Sequence, residues 1–279
     1  MIDVLLASYK PDPGRFAAQV DSIRRQKGVE VNLLVREDSR GEGPCSNFSF
    51  LLSQSTAPYV AFSDQDDVWD EDKLASLMDC ISGLESRHGR DTPALVFCDS
   101  LVTDSGLQPL PGTFLSRQGV DVGRGLSLPR LLMQNFIAGN LMLFNATLRA
   151  KAGAVPSAAL MHDSWIALVA AAFGHIDYVR RPLVRYRQHE GNVVGATLST
   201  GAKQRARAVE GVGAFRRRLQ ANVAQARAFV DRFGSGAPDA VKALASFPNR
   251  GWFARRQALI RYGLWKHGLF RNLALLAFA

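Results

Sequence analysis

At 279 residues the chain is long enough for one large α/β domain with a small extension, or for two modest domains. Its apolar fraction of 47% supports a sizeable core and excludes global disorder, while three widely spaced cysteines (Cys45, Cys80, Cys98) exclude a CxxC zinc spacing or a disulfide framework and fit reduced thiols. The net charge of +9 is unevenly placed: residues 1–200 hold 19 Lys and Arg against 22 Asp and Glu, whereas residues 201–279 hold 15 against 3, so the basic tail calls for an anionic partner such as lipid, nucleic acid or acidic protein.

The sequence opens at Met1-Ile2-Asp3-Val4 directly as a strand, without the basic and apolar regions of a signal peptide. No apolar run reaches the roughly 20 residues that span a bilayer. The expectation is a cytoplasmic protein, soluble or peripheral on the inner face of the cytoplasmic membrane.

In chain order, Ile2 to Ser8 reads as a buried strand, and Phe16, Val20 and Ile23 recur at helical spacing. Val31 to Val35 is a second strand and Tyr59 to Phe62 a third, introduced by Pro58. Leu74, Leu77, Met78 and Ile81 mark an amphipathic helix with acidic residues before its start. Ala94 to Cys98 and Leu141 to Phe144 are further strands, and His162 to Phe173 is helical. Residues 105–127, rich in Gly, Pro and Ser, read as a loop region facing substrate. This spacing predicts an α/β fold with a doubly wound, mostly parallel sheet. After about Gly201 the strand pattern stops; Val209, Val212 and Leu219 can share one helical face. The division expected is a catalytic domain over 1–200 and a basic helical extension over 201–279.

Ligands of an open parallel sheet sit beyond the carboxyl ends of its strands. Here those ends are Ser8-Tyr9, Glu37-Asp38 and Asp64-Gln65-Asp66-Asp67, so several carboxylates converge on one crevice. Such a cluster needs a cation or protons to offset its repulsion, and carboxylates two apart suit Mg²⁺ or Mn²⁺ holding a diphosphate. The competing reading is an acidic helix N-terminus.

The run Tyr59-Val60-Ala61-Phe62-Ser63-Asp64-Gln65-Asp66-Asp67-Val68-Trp69 resembles the metal-binding segment of family 2 glycosyltransferases, in particular their rhamnosyltransferase-like branch. Leu5 to Lys10, Val35 to Ser39, Ser46 to Leu52, Asn135 to Asn145, His162 to Trp165 and Tyr186 to His189 with Asn192 resemble further segments of that family, in order, over roughly residues 1 to 200. Glu37 departs from the family's usual Asp, Ser39-Arg40 from its Gly-Ser, and His162 from its commoner Glu.

The resemblance implies the GT-A fold and inverting transfer from a UDP- or dTDP-sugar to a glycan or lipid-linked acceptor in cell-surface polysaccharide synthesis. It implies Asp66 and His189 as metal ligands and Asp163 as the base. Ser8, Tyr9, Asp38, Asn47, Asp64 and Arg187 would bind the donor nucleotide, with Tyr9 against a pyrimidine and Asp38 accepting from it. Gln134, Asn135, Gly139, Asn140, His162 and Trp165 would line the sugar or acceptor pocket, Gly139 permitting close backbone approach.

Plainer readings stand beside these: Tyr9 packing at a strand end, Asp38 forming a turn before Gly41, Asp67 capping the next helix, Asp163 capping its own helix, His189 and Arg187 solvated. Two other functions use similar parts. A sugar nucleotidyltransferase has a parallel sheet and acidic metal ligands, but Lys10-Pro11-Asp12-Pro13 stands where its Gly-rich phosphate loop would be; a binding protein without turnover would not need both Asp66 and Asp163. In the tail, Trp252, Phe253, Ile260 and Trp265 alternate with Arg255, Arg256, Arg261 and Arg271, a pattern for peripheral membrane contact or for packing on the catalytic domain. No nucleic-acid module is present, and no such partner is expected.

Overall fold

The computed structural model describes residues 1–188 and 211–279. They form two compact units. The first comprises Met1–Gln118, Ile137–Val155 and the described residues from Met161; the second comprises Gly119–Phe136, Pro156–Leu160 and the described residues from Gly211. The boundary expected near Gly201, like Val209 and His189, lies outside the described residues.

The first unit is built on an eight-stranded sheet: β1 (Ile2–Ser8), β2 (Val31–Glu37), β3 (Tyr59–Ser63), β4 (Val68–Trp69), β5 (Ala94–Thr103), β6 (Pro109–Thr113), β7 (Met142–Asn145) and β8 (His175–Arg187), in the order β2-β1-β3-β7-β5-β8-β4, with β6 on β5. β1 pairs parallel with β2 and β3, and β5 with β8, whereas β7 runs antiparallel to both β3 and β5. The sheet is therefore mixed. Leu5, Leu6, Val60, Phe62, Leu95, Phe97 and Phe144 are its fully buried core.

The reversed direction of β7 positions the site. Its register pairs Ala61 with Leu143 and Phe97 with Met142. Continued one turn outward, it sets the Gly139–Asn140 segment beside the carboxyl ends of β3 and β5.

Helix α1 (Pro13–Arg24) buries Gln19, Ser22 and Ile23, so Phe16 and Val20 are not its deepest residues. The polar pair has a purpose. The Gln19 Nε2 donates to Ser63 Oγ at 2.7 Å, Ser22 Oγ accepts from the Trp69 N–H at 3.1 Å, and just past the helix Gln26 Nε2 donates to the Asp70 carbonyl at 2.7 Å. Spaced three and four apart, these side chains lie on one face and fasten the segment after β3. Helices α2 (Pro44–Gln54) and α3 (Lys73–His88) follow β2 and β4. Residues 105–127, read as a loop, contain β6 and the short helices α4 (Phe114–Gln118) and α5 (Val122–Gly125).

In the second unit α6 (Leu128–Met133) packs with the C-terminal helices α9 (Gly211–Phe233) and α10 (Asp239–Ala245). The buried face of α9 is Leu219, Asn222, Val223, Gln225, Ala226 and Phe229; Val212 is exposed, contrary to the face read from sequence. Two polar bonds explain why residues far apart in sequence belong here: Asn222 Nδ2 donates to the Met133 carbonyl at 2.9 Å, and Gln225 Oε1 accepts from the Leu160 N–H at 2.9 Å. Helices α7 (Ala146–Ala152) and α8 (His162–Phe173) belong to the first unit, α11 (Trp252–Tyr262) and α12 (Leu269–Phe278) to the second.

Candidate active site

The ends of β1 and β2 are tied to α2. Asn47, in the first turn of α2 and 2% exposed, donates from Nδ2 to the carbonyls of Ser8 at 3.3 Å and Arg36 at 3.2 Å. Ser8 Oγ reaches the Arg36 carbonyl only at 3.5 Å, a marginal bond. Asp38 takes the turn-forming role: Oδ1 accepts from the N–H groups of Arg40, Gly41 and Glu42, and Oδ2 from that of Gly43. Gly41 and Gly43 stand at φ of +73° and +90°, which a side chain resists. Burial opposes the charge of Asp38, but the four donors outweigh it and hold the carboxyl below the usual carboxylate range. The Tyr9 ring stays 47% exposed at the strand end, and Gly41 is close enough that a Cβ there would touch it at 3.8 Å. Gln65 clamps this turn, its Oε1 accepting from the Tyr9 N–H at 2.7 Å.

The acidic loop after β3 is fixed from several sides. Asp67 is fully buried; it accepts from the Asn140 side chain and from the Arg187 N–H at 3.3 Å. It therefore braces the loop and does not cap α3, which begins at Lys73. Arg187, 6% exposed, donates from Nε to the Asp66 carbonyl at 3.0 Å and from a terminal nitrogen to the Ser105 carbonyl at 2.6 Å. Arg187, expected to bind the donor nucleotide, holds the loop backbone here. Lys73, which sequence reasoning passed over, is wholly buried beneath it. Its Nζ donates to the Asn140 carbonyl at 2.7 Å and lies 3.1 Å from the centre of the Trp69 ring.

Asp163 joins the same region through Gly139 and Asn140. Its Oδ2 accepts from the Gly139 N–H at 3.0 Å and its Oδ1 from the Ser164 N–H, in the first turn of α8. The neighbouring residue of the turn, Asn140, donates to Asp67. A two-residue bridge therefore links the proposed base to the acidic loop. Gly139 has no room for a side chain: a Cβ would lie 2.8 Å from His162 Nε2.

Two pocket assignments are corrected. His162 is 4% exposed, stacked on Phe48 at 4.0 Å and edge-on to Phe62, so the imidazole is a packing element; burial drives its pKa down to about 3, keeping it neutral. Trp165 is fully buried and donates to the Ala152 carbonyl at 3.1 Å, so it belongs to the core. Gln134 and Asn135 belong to the second unit, where Gln134 Oε1 accepts from the His267 N–H at 3.2 Å.

The electrostatics show how crowded the acids are. Asp64 is raised well above its usual range by burial first, then by the charges of Asp67, Asp66 and Asp163. Asp67 is pushed up to about 7 by burial and Asp66. Asp163 is raised to about 6 by burial, against the pull of its two N–H donors. The charge of Asp163 is one of those that weigh on Asp64. Lys73 answers this cluster incompletely, burial lowering it to about 7 despite Asp67 and Asp64 nearby. Hard oxygen donors with excess negative charge fit a divalent cation. Among the described residues no group of three His, Cys, Asp or Glu side chains converges as a ready ligand set.

The same architecture occurs in solved structures. A Staphylococcus aureus TarS structure in complex with UDP-GlcNAc matches 94% of this chain and 80% of its own at a TM-score of 0.50 and 13% identity. The mannosyltransferase PcManGT from Pyrobaculum calidifontis, in complex with GDP-Man and Mn²⁺, matches 99% and 78% at 0.50 and 17%. The chain has the GT-A fold. In sequence it is similar to the dTDP-rhamnosyl transferase RfbG of Shigella flexneri, 28% identical over 62% of this chain and 58% of that protein. It is also similar to the amylovoran biosynthesis glycosyltransferase AmsB of Erwinia amylovora, 32% identical over 32% of this chain and 29% of that one. The resemblance to glycosyltransferases carried by the motifs thus extends to aligned sequence, although the chain spans only part of the length of these curated relatives. No family model matches it.

Proposed function

We propose that this chain transfers a sugar from a nucleoside-diphosphate-sugar to an acceptor hydroxyl, with inversion at the sugar carbon. The observation that carries the reading is the Gly139–Asn140 bridge, which brings Asp163 within electrostatic reach of the Asp64–Asp67 loop at one end of the sheet. The acceptor oxygen bonds to the sugar carbon as the bond from that carbon to the diphosphate breaks. The nucleoside diphosphate leaves with the electron pair, and Asp163 receives the hydroxyl proton. A carboxylate held near pH 6 is ionised at neutral pH yet basic enough to accept it.

Asp66 would hold Mg²⁺ or Mn²⁺ with His189, which lies outside the described residues, and Asp64 would meet the donor nucleotide. When bound, the ion supplies positive charge to the leaving diphosphate. Tyr9 offers its exposed ring to the base, Asp38 shapes the loop beside it, and Ser8, Asn47 and Arg187 act through the backbone they fix. Gly139 and Asn140, both buried, would shape the sugar pocket through the positions they give Asp163 and the acidic loop.

Similarity to a dTDP-rhamnosyl transferase and an amylovoran biosynthesis glycosyltransferase supports a rhamnosyl donor and a role in polysaccharide biosynthesis; the acceptor in this reading is a glycan or lipid-linked hydroxyl of a cell-surface polysaccharide. The test is product analysis on a panel of nucleotide-sugars with Mg²⁺ or Mn²⁺. Nucleoside diphosphate release supports transfer. Pyrophosphate release would make the protein a nucleotidyltransferase, and tight binding without release a sugar-nucleotide sensor.

A further inference from the structure

We propose that helices α11 and α12 dock on an anionic phospholipid surface and hold the protein there without spanning the bilayer. The inference stands apart from the chemistry at Asp163. Across these helices Trp252, Phe253, Ile260, Leu269, Phe270 and Leu273 are all more than half exposed, Phe253 at 78% and Phe270 at 85%. In α12 (Leu-Phe-Arg-Asn-Leu-Ala-Leu-Leu-Ala-Phe) only Leu275 is buried, so a helix apolar on nearly every side meets its own unit along one narrow stripe. So many large apolar side chains left exposed on two short helices call for something to cover them.

The two helices form one platform. Arg256 stacks over the Trp252 ring at 3.6 Å, donates to the Trp252 carbonyl at 2.7 Å and reaches the carbonyls of Ala277 and Ala279 at 3.0 Å. Trp252 is thus held in place, and the end of α12 is tied to α11 through Arg256.

Charge selects the occupant. Residues 211–279 contain 12 Lys and Arg against 2 Asp and Glu, and Arg216, Arg217, Arg218, Arg261 and Arg271 are exposed. Apposed to a second copy of itself, such a surface would set like charges together. Nucleic acid would answer the arginines and leave Leu269, Leu273 and Ile260 in water. An anionic bilayer answers both, taking phosphates at the guanidinium groups and the apolar side chains at the acyl boundary, where Trp is at home. The mode proposed is that the two helices lie on the surface with their apolar side chains at the acyl boundary; no described helix is long and apolar enough to cross a membrane.

The test is co-sedimentation of the full chain with vesicles of phosphatidylglycerol and phosphatidylcholine, against phosphatidylcholine alone, at low and high salt. The expected result is partition onto the anionic vesicles, weakened by salt and reduced about tenfold or more by the double variant F253S/F270S. Circular dichroism and thermal melting of that variant should match the wild type, since both rings face solvent. Two results overturn the proposal: equal recovery with both vesicle types, or no vesicle binding together with a sedimentation-velocity dimer that F253S/F270S dissolves, which would assign the face to a second copy.

Discussion

Asp163→Asn keeps the shape of the proposed base and removes its charge, and the structure sets the size of two separate consequences. Burial raises the Asp163 carboxyl from 3.8 to about 6. At about 1.4 kcal/mol per unit, this is roughly 3 kcal/mol against the ionised native state. Because the folded value is the higher one, this cost is absent below pH 3.8, grows as pH rises from there, and is complete above about pH 6. The asparagine has no such term. It does have a fixed cost: one amide oxygen must serve two N–H groups, from Gly139 and Ser164, where two carboxylate oxygens served before. Leaving one donor unmatched costs about 1–3 kcal/mol at any pH. The variant's absolute stability is therefore set by competing terms, but its pH dependence is not. Between pH 5 and pH 8 the variant should gain about 1.4 kcal/mol on the wild type, because one unit of the shift lies above pH 5. Urea unfolding at both pH values, without divalent ions and with unchanged m, measures this. In turnover the variant should bind donor normally and lose transfer by about 10² or more, and wild-type activity should rise through pH 6 to a plateau. A stability difference equal at both pH values, or near-normal turnover, would refute the assignment of a half-buried, ionising base.

Asp66→Ala should abolish the metal-dependent part of nucleotide-sugar binding, read as loss of the thermal shift that donor plus Mn²⁺ gives the wild type. Lys73→Met removes the ammonium beneath the acidic loop; it should cost on the order of 3 kcal/mol in chelator, and Mn²⁺ should recover part of that loss by calorimetry. Gly139→Ala places a Cβ 2.8 Å from His162 Nε2. It should destabilise by about 1–3 kcal/mol and slow transfer more than it weakens donor binding, as kcat and KM will separate.

The sheet's N-terminal strands and the acidic loop were legible because each is an apolar run stopped by a polar turn: Ile2 to Ser8, and Tyr59 to Phe62 before Asp64. β8 was not. Over 13 residues it carries Arg180, Arg181 and Pro182 in mid-course, which breaks the alternation a strand shows in sequence, and its pairing with β5 shifts register in that same stretch. Lys73 was illegible for a different reason. A lysine opening an amphipathic helix reads as a solvated charge, and its burial arises only when Trp69, Asp67 and Asn140 meet from separate segments. Arg187 and Trp165 show the converse. Their residue types fit a ligand pocket, yet a guanidinium bonded to the Asp66 and Ser105 carbonyls and an indole bonded to Ala152 serve the scaffold. Sequence placed the acids at the strand ends; the reversed strand β7, which joins them to Asp163 through Gly139 and Asn140, emerged only from the fold.

The central claim is that these gathered carboxylates hold a divalent ion against a sugar diphosphate. Electron paramagnetic resonance of Mn²⁺ titrated into the protein with a nucleoside diphosphate tests it at the ion itself. The wild type and Asp163→Asn should bind Mn²⁺ and nucleotide together, each tightening the other at least about tenfold, and Asp66→Ala should not. Unchanged Mn²⁺ binding in Asp66→Ala, or nucleotide binding indifferent to the ion, would contradict the account.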